Sequence, residues 1–113
     1  MVDAVNVEEA EARRRAIIAE IGRLGITAPG SITTRSTRCQ TPGCRCRAEP
    51  AQLHGPYPTW IRRIEGKTIT RTLSGDELER LRPLLAANHR LRQLINELQE
   101  VSAELAEDAL RLP

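Results

Sequence analysis

The chain has 113 residues and a net charge of +2, from 17 basic and 15 acidic side chains, and it contains no Phe, one Tyr and one Trp. That length fits one small domain with an extended arm, and its core must be aliphatic. No apolar run approaches the ~20 residues of a membrane span, so the composition excludes a membrane-spanning helix and predicts a soluble, cytoplasmic protein.

Charge is spread unevenly. Residues 1–29 sum to −1, residues 30–72 carry eight basic against two acidic side chains, or +6, and residues 73–113 sum to −3. A basic centre between acidic flanks is the asymmetry of an anion-binding module; a solvated arginine surface answering its own acidic helices is the plainer alternative. All but one of the basic residues are Arg, Lys67 being the exception. That bias suits fork-like phosphate contacts, and a GC-rich genome accounts for it equally well.

In chain order, Asn6 to Leu24 reads as a packing helix. Asn6 and Glu9 have capping-box spacing, and acidic side chains precede Arg13, Arg14, Arg15 and Arg23 as the helix dipole prefers. Val7, Ala10, Ile17, Ile21 and Leu24 recur at helical spacing, Ile18 widens the stripe, and Gly25 is placed as the stop. Ala28-Pro29-Gly30 is a turn, and the β-branched run Ser31–Thr37 predicts a short strand.

Next comes the densest chemistry in the chain. All three cysteines, Cys39, Cys44 and Cys46, fall within eight residues, and His54 follows. Three thiolates and an imidazole complete a tetrahedral Cys₃His set for Zn²⁺, and Pro42-Gly43 is turn chemistry that brings the first two sulfurs together. The C-x₄-C-x-C-x₇-H spacing matches no common finger, so ligand density carries the reading against inert, reduced thiols. An odd cysteine count and no secretory segment argue against disulfides, and an iron–sulfur cluster usually takes four cysteines. Four protein ligands close the site, which makes the metal structural.

Residues 50–58 read as loop. Thr59 to Leu73 predicts a hairpin about a two-residue Glu65-Gly66 turn, with Ile64 facing Lys67 and Trp60 facing Arg71. Trp60, Arg62, Ile64, Ile69, Arg71 and Leu73 then share a packing surface, with Arg71 stacked on Trp60. Thr59, Ile61, Arg63, Thr68, Thr70 and Thr72 form a threonine–arginine surface, suited to phosphates or simply to strand propensity.

Ser74 and Glu77 form a second capping box. Pro83 predicts a short helix over 76–82 with a kink or break before it. Beyond it, Leu84, Leu91, Leu98, Leu105 and Leu112 repeat every seven residues, with Leu81, Asn88, Ile95, Ser102 and Ala109 as the companion set and Leu94 and Val101 widening the seam. The stripe resembles a leucine zipper with a register-setting Asn88. A helix over 84–108 is roughly 38 Å long, longer than the first helix covers. The expectation is a homodimer through Leu84, Asn88, Leu91, Ile95, Leu98 and Leu105; the alternative is an intramolecular hairpin on the first helix.

The fold class is therefore α+β, in three segments: helix and turn over 1–29, zinc knuckle and hairpin over 30–74, and helical arm over 75–113. The stretch from Gly30 through the three cysteines to His54-Gly55-Pro56-Tyr57, then the hairpin and leucine-rich helix, resembles an uncharacterised family of small bacterial and archaeal proteins known as a domain of unknown function. The resemblance covers roughly residues 29–100. It implies that the four ligands act as a unit, and it implies no activity.

The expected function is nucleic-acid binding, to duplex DNA first, with Arg35, Arg38, Arg45, Arg47, Arg62, Arg63, Lys67 and Arg71 neutralising phosphates. Without a recognition helix, backbone and shape reading is expected over base-edge reading, and the scarcity of aromatics argues against a single-strand stacking platform. The competing expectation is a protein–protein adaptor whose arginines meet acidic protein. No enzyme and no small-molecule substrate are expected: there is no open metal position, no carboxylate pair beside a histidine and no Gly-rich phosphate loop.

Overall fold

The computed structural model describes residues 6–111 in the order α1 (Val7–Arg23), β1 (Ser31–Thr37), β2 (His54–Ile64), β3 (Lys67–Thr72) and α2 (Gly75–Leu110), an α+β fold. Leu112 of the leucine repeat lies outside the described residues. Two compact units divide the chain: one takes the described residues up to Thr27 and those from Ala86 on, the other takes Ala28–Leu85. Among the described residues, no helix is long and apolar enough to cross a membrane.

The first unit is a helical hairpin. Asn6 caps α1, its side chain accepting from the Glu9 N–H at 3.1 Å, which satisfies one of the orphan amides of the first turn. The helix stops at Arg23, where Leu24 turns extended and donates to the Ile21 carbonyl, one residue before the glycine expected to end it. Ala10 and Ile17 of α1 bury against Leu94 and Val101 of α2, and Ile21, Leu24, Leu98 and Leu105 pack around them. Both helices thus present pairs seven residues apart. Burying Leu94 and Val101 contributes roughly 1.5–3 kcal/mol each. Outside this core, Arg90 reaches Glu20 with two hydrogen bonds of 2.6 and 3.0 Å and holds that carboxyl below its ordinary range.

The leucine stripe is therefore spent largely within the chain. Leu98 and Leu105 join the hairpin core and Leu84 joins the core of the second unit. Asn88 and Leu91 are half-buried and Ile95 is exposed. The packed seam centres on Leu94 and Val101, beside the line of sevenfold leucines.

The second unit is an antiparallel sheet in the order β1-β2-β3 with the first turns of α2. Ile64 pairs with Lys67 and Trp60 with Arg71, the register the two-residue turn dictates. Glu65 and Gly66 both have positive φ, 51° and 78°, the backbone of a type I′ turn whose twist matches its flanking strands. Alternation then sorts the side chains onto two faces. Ile32, Trp60, Arg62, Ile69 and Arg71 share one, and Ile32 and Trp60 pack there on a core of Ala28, Leu73 and Leu81 with Leu78, Leu84 and Leu85. Ser31, Thr33, Arg35, Tyr57, Thr59, Ile61, Arg63, Thr68, Thr70 and Thr72 share the other.

Three expectations are corrected here. Residues 54–58 are strand, not loop: β2 begins at His54, which pairs with Thr37 beyond a register shift in β1. Pro58 is tolerated because its carbonyl accepts from the Leu73 N–H past the end of β3, so its nitrogen faces the same side, where the β3 ladder has ended. Arg62, not Arg71, stacks on Trp60, at 3.9 Å from the ring centroid. Arg71 is drawn instead to Glu77, which the Ser74 capping box holds beside the strand end through bonds of 3.0 and 3.1 Å. Finally, of the kink or break expected before Pro83 the break does not occur: one helix, α2, continues through Pro83. Leu81 before the proline and Leu84 and Leu85 after it serve the same sheet core, and the Leu84 carbonyl accepts from the Ala28 N–H at 3.0 Å. Packing on both sides outweighs one lost helical hydrogen bond.

Candidate metal centre

The sheet and one loop assemble the cysteine–histidine set. β1 leads into Cys39, the loop turns at residues 41–44 with the Cys44 N–H on the Thr41 carbonyl at 3.4 Å, and Cys46 sits in a short 3₁₀ turn over Arg45–Arg47. That turn is closed by the Arg47 N–H on Cys44 and by both the Ala48 and Gln52 N–H groups on the Arg45 carbonyl. His54 opens β2, paired with Thr37 of β1, so the histidine is fixed by a sheet ladder two residues before Cys39.

One ligand atom from each of Cys39, Cys44, Cys46 and His54 lies within 4.8 Å of every other. Cys39 Sγ and Cys46 Sγ are 3.6 Å apart, and Cys44 Sγ is 3.3 Å from His54 Nε2. A tetrahedral zinc with bonds of about 2.3 Å to sulfur and 2.0–2.1 Å to nitrogen separates two sulfurs by about 3.8 Å and sulfur from nitrogen by about 3.6 Å. The two pairs fall within a few tenths of an ångström of those spacings, and the set is compatible with a tetrahedral metal site.

The surroundings favour thiolate at the entrance and shield the interior. The Thr41 backbone amide, then the Cys44 and His54 side chains, hold the Cys39 thiol down to about 6. The Cys39 N–H, 3.4 Å from Cys46 Sγ, pulls the Cys46 thiol down, but burial and the Cys39 and Cys44 sulfurs outweigh it and raise that thiol above its ordinary value. Cys46 is fully buried. A divalent cation supplies the charge that lets all three sulfurs ionise together. Arg47 braces the loop by donating to the Cys39 carbonyl at 2.7 Å.

Gly55 is the backbone requirement of the site. Its φ is +105°, and a Cβ there would stand 2.9 Å from the Tyr57 nitrogen and 3.0 Å from the Arg35 carbonyl oxygen. Only glycine lets the chain turn from His54 into the β1 pairing this closely.

The eight cations expected to face an anion fall into distinct places. Arg38, Arg45 and Arg47 lie on or beside the metal loop and are exposed. Arg35 and Arg63 are exposed on the threonine-rich face, Arg63 also donating to the Gly66 carbonyl. Lys67 is exposed at the hairpin tip. Arg62 and Arg71 lie on the packed face, one half-buried on Trp60 and the other paired with Glu77. The sequence reading missed that Arg35 and Tyr57 sit directly opposite each other across β1 and β2; the signal was the alternation of Tyr57, Thr59, Ile61 and Arg63, obscured by the prolines at 56 and 58.

No curated protein and no solved structure matches the chain. The family DUF6788, a domain of unknown function, matches residues 7–83. The match starts further back than the resemblance read from the cysteines, taking in α1, the whole sheet, the metal loop and the first turns of α2. It covers more than half of the sequence, and the chain belongs to the DUF6788 family.

Proposed function

We propose that this chain is a non-enzymatic, zinc-stabilised module that binds nucleic acid through the phosphate backbone. Zinc is the metal that a Cys₃His donor set favours, and four protein ligands leave it no open position for a reacting water. The observation that carries the binding reading is the set Arg35, Arg38, Arg45, Arg63 and Lys67. All are exposed, none is in an ion pair among the described residues, and residues 30–72 hold only Glu49 and Glu65 to offset them. Exposed cations without an acidic partner among the described residues, spread over the loop, the threonine-rich face and the hairpin tip, suit a polyanion.

Filter binding of the zinc-loaded chain at two salt concentrations tests this. Five phosphate contacts predict a slope of log affinity against log salt of about −4.5 on duplex DNA, hence a loss of roughly 500-fold between 50 and 200 mM. Retention of neither DNA nor RNA at 50 mM salt, with metal bound, rejects the reading and leaves a protein–protein adaptor in its place. Homodimerisation enters only through Asn88, Leu91 and Ile95, the part of the stripe outside the two cores. A monomeric mass at micromolar concentration removes it without touching the rest.

A further inference from the structure

The sheet has one face spent on a core and one that is not. On the other face Arg35, Tyr57, Arg63, Thr68, Thr70 and Thr72 are exposed around a buried Thr59 and half-buried Thr33 and Ile61. Neither hydrophobic cluster includes any of them, and no acidic residue shares the face. Tyr57 is the informative member. It is 40 % exposed, its ring edge passes 3.2 Å from where a Gly55 Cβ would stand, and Arg35 is its cross-strand neighbour. An aromatic ring laid over a glycine, beside a guanidinium with no carboxylate partner among the described residues, offers an apolar surface and a cation to one ligand.

We infer that this face binds a single-stranded segment of nucleic acid, with one base stacked on Tyr57 and flanking phosphates held by Arg35 and Arg63. The inference rests on the nucleic-acid reading above and narrows it. Stacking on a protein ring requires a base free of its neighbours, which a single strand supplies and a duplex withholds. Shape points the same way. Three strands spaced ~4.8 Å apart, with side chains on both edges, are too broad to lie face-on in a major groove about 12 Å wide, which admits a helix or a two-stranded ribbon. From Tyr57 to Arg63 the strand runs about 20 Å at ~3.3 Å per residue, the reach of a few nucleotides. The hydroxyls of Thr68, Thr70 and Thr72, exposed alongside on β3, both donate and accept, so they serve phosphate, sugar and base edges without demanding a sequence. The metal loop, entered from the Arg35 end of β1, extends the cationic track.

The test is fluorescence polarisation of the full, zinc-loaded chain with labelled dT15, rU15 and a 15-base-pair duplex in 50 mM salt. Both single strands are expected to bind more tightly than the duplex, and the stronger of the two identifies the polymer. Tyr57→Ala should weaken single-strand binding about ten- to a hundredfold, the scale of one lost base stack, without changing the salt slope. Tyr57→Phe should bind like the parent. Tyr57→Leu, which keeps an apolar cover over Gly55, should show the same loss as Tyr57→Ala and guards against a folding artefact. Arg35→Gln with Arg63→Gln should lower the slope by about 1.4, from roughly −0.7 per phosphate on single strands. Tighter duplex binding, or Tyr57→Leu indistinguishable from the parent, overturns the single-strand assignment while the nucleic-acid reading stands. Loss of all three probes from the metal-loaded parent overturns both.

Discussion

Gly55 and Gly43 flank the same candidate centre and both have positive φ, +105° and +77°, yet they answer to different constraints. A Cβ on Gly43 meets nothing within 4 Å, whereas one on Gly55 overlaps backbone atoms of Tyr57 and Arg35. Gly43→Ala should therefore cost only the left-handed conformation, roughly 1–2 kcal/mol. Gly55→Ala must also push the two strands apart, on the order of 3 kcal/mol in all. Denaturant unfolding of the metal-loaded variants checks the order, and equal destabilisation would show that the strand contact at Gly55 is yielding. The clustering of Cys39, Cys44, Cys46 and His54 was legible in the sequence because metal-ligating chemistry concentrates in few residue types. The requirement for Gly55 was not, because it comes from a strand pairing between residues that lie twenty apart.

Among the elements, the hairpin was legible and the helical seam was only partly so. A two-residue turn fixes register by itself, so Glu65-Gly66 was enough to pair Trp60 with Arg71. The sevenfold leucines give a direction along α2 but do not say what covers them. Helical geometry at 3.6 residues per turn lets Leu94 and Val101 share a stripe with Leu98 and Leu105, and α1 selects that stripe by presenting Ala10 and Ile17. Between a kink and a break at Pro83 the sequence did not decide, for a related reason: the local cost of proline is visible in sequence, while the packing of Leu81, Leu84 and Leu85 that keeps the helix continuous is tertiary. Adjacent substitutions in α2 separate the two seams. Leu94 is 1 % and Ile95 39 % exposed, so Leu94→Ala should cost about 2–5 kcal/mol and Ile95→Ala less than about 1 kcal/mol. Thermal unfolding across a hundredfold range of protein concentration provides the check. A zipper between chains would make Ile95→Ala the costlier change and the midpoint concentration-dependent.

At the scale of the whole molecule, the metal ligands and the helical hairpin belong to different compact units. Cys39, Cys44, Cys46 and His54 all lie within Ala28–Leu85, and the hairpin core draws only on α1 and the part of α2 from Ala86 on. The hairpin has its own buried core and its own ion pairs, Arg90 to Glu20 and Arg13 to Glu104. The sheet unit, by contrast, brings its long loop to β2 at the four candidate ligands, and sulfurs without a cation between them would repel as they ionise. Removing the metal should therefore unfold the sheet unit and leave the helical hairpin folded. Chelation at neutral pH should abolish the structured environment of Trp60, seen in near-ultraviolet circular dichroism, and leave most of the far-ultraviolet helical signal. Elemental analysis should find one zinc per chain before chelation, and returning zinc should restore the Trp60 signal. Loss of the helical and Trp60 signals together would mean that the hairpin depends on the metal unit for its fold. An unchanged Trp60 signal after complete chelation would rule out a structural metal, and with it any metal bracing of the loop that displays Arg38, Arg45 and Arg47.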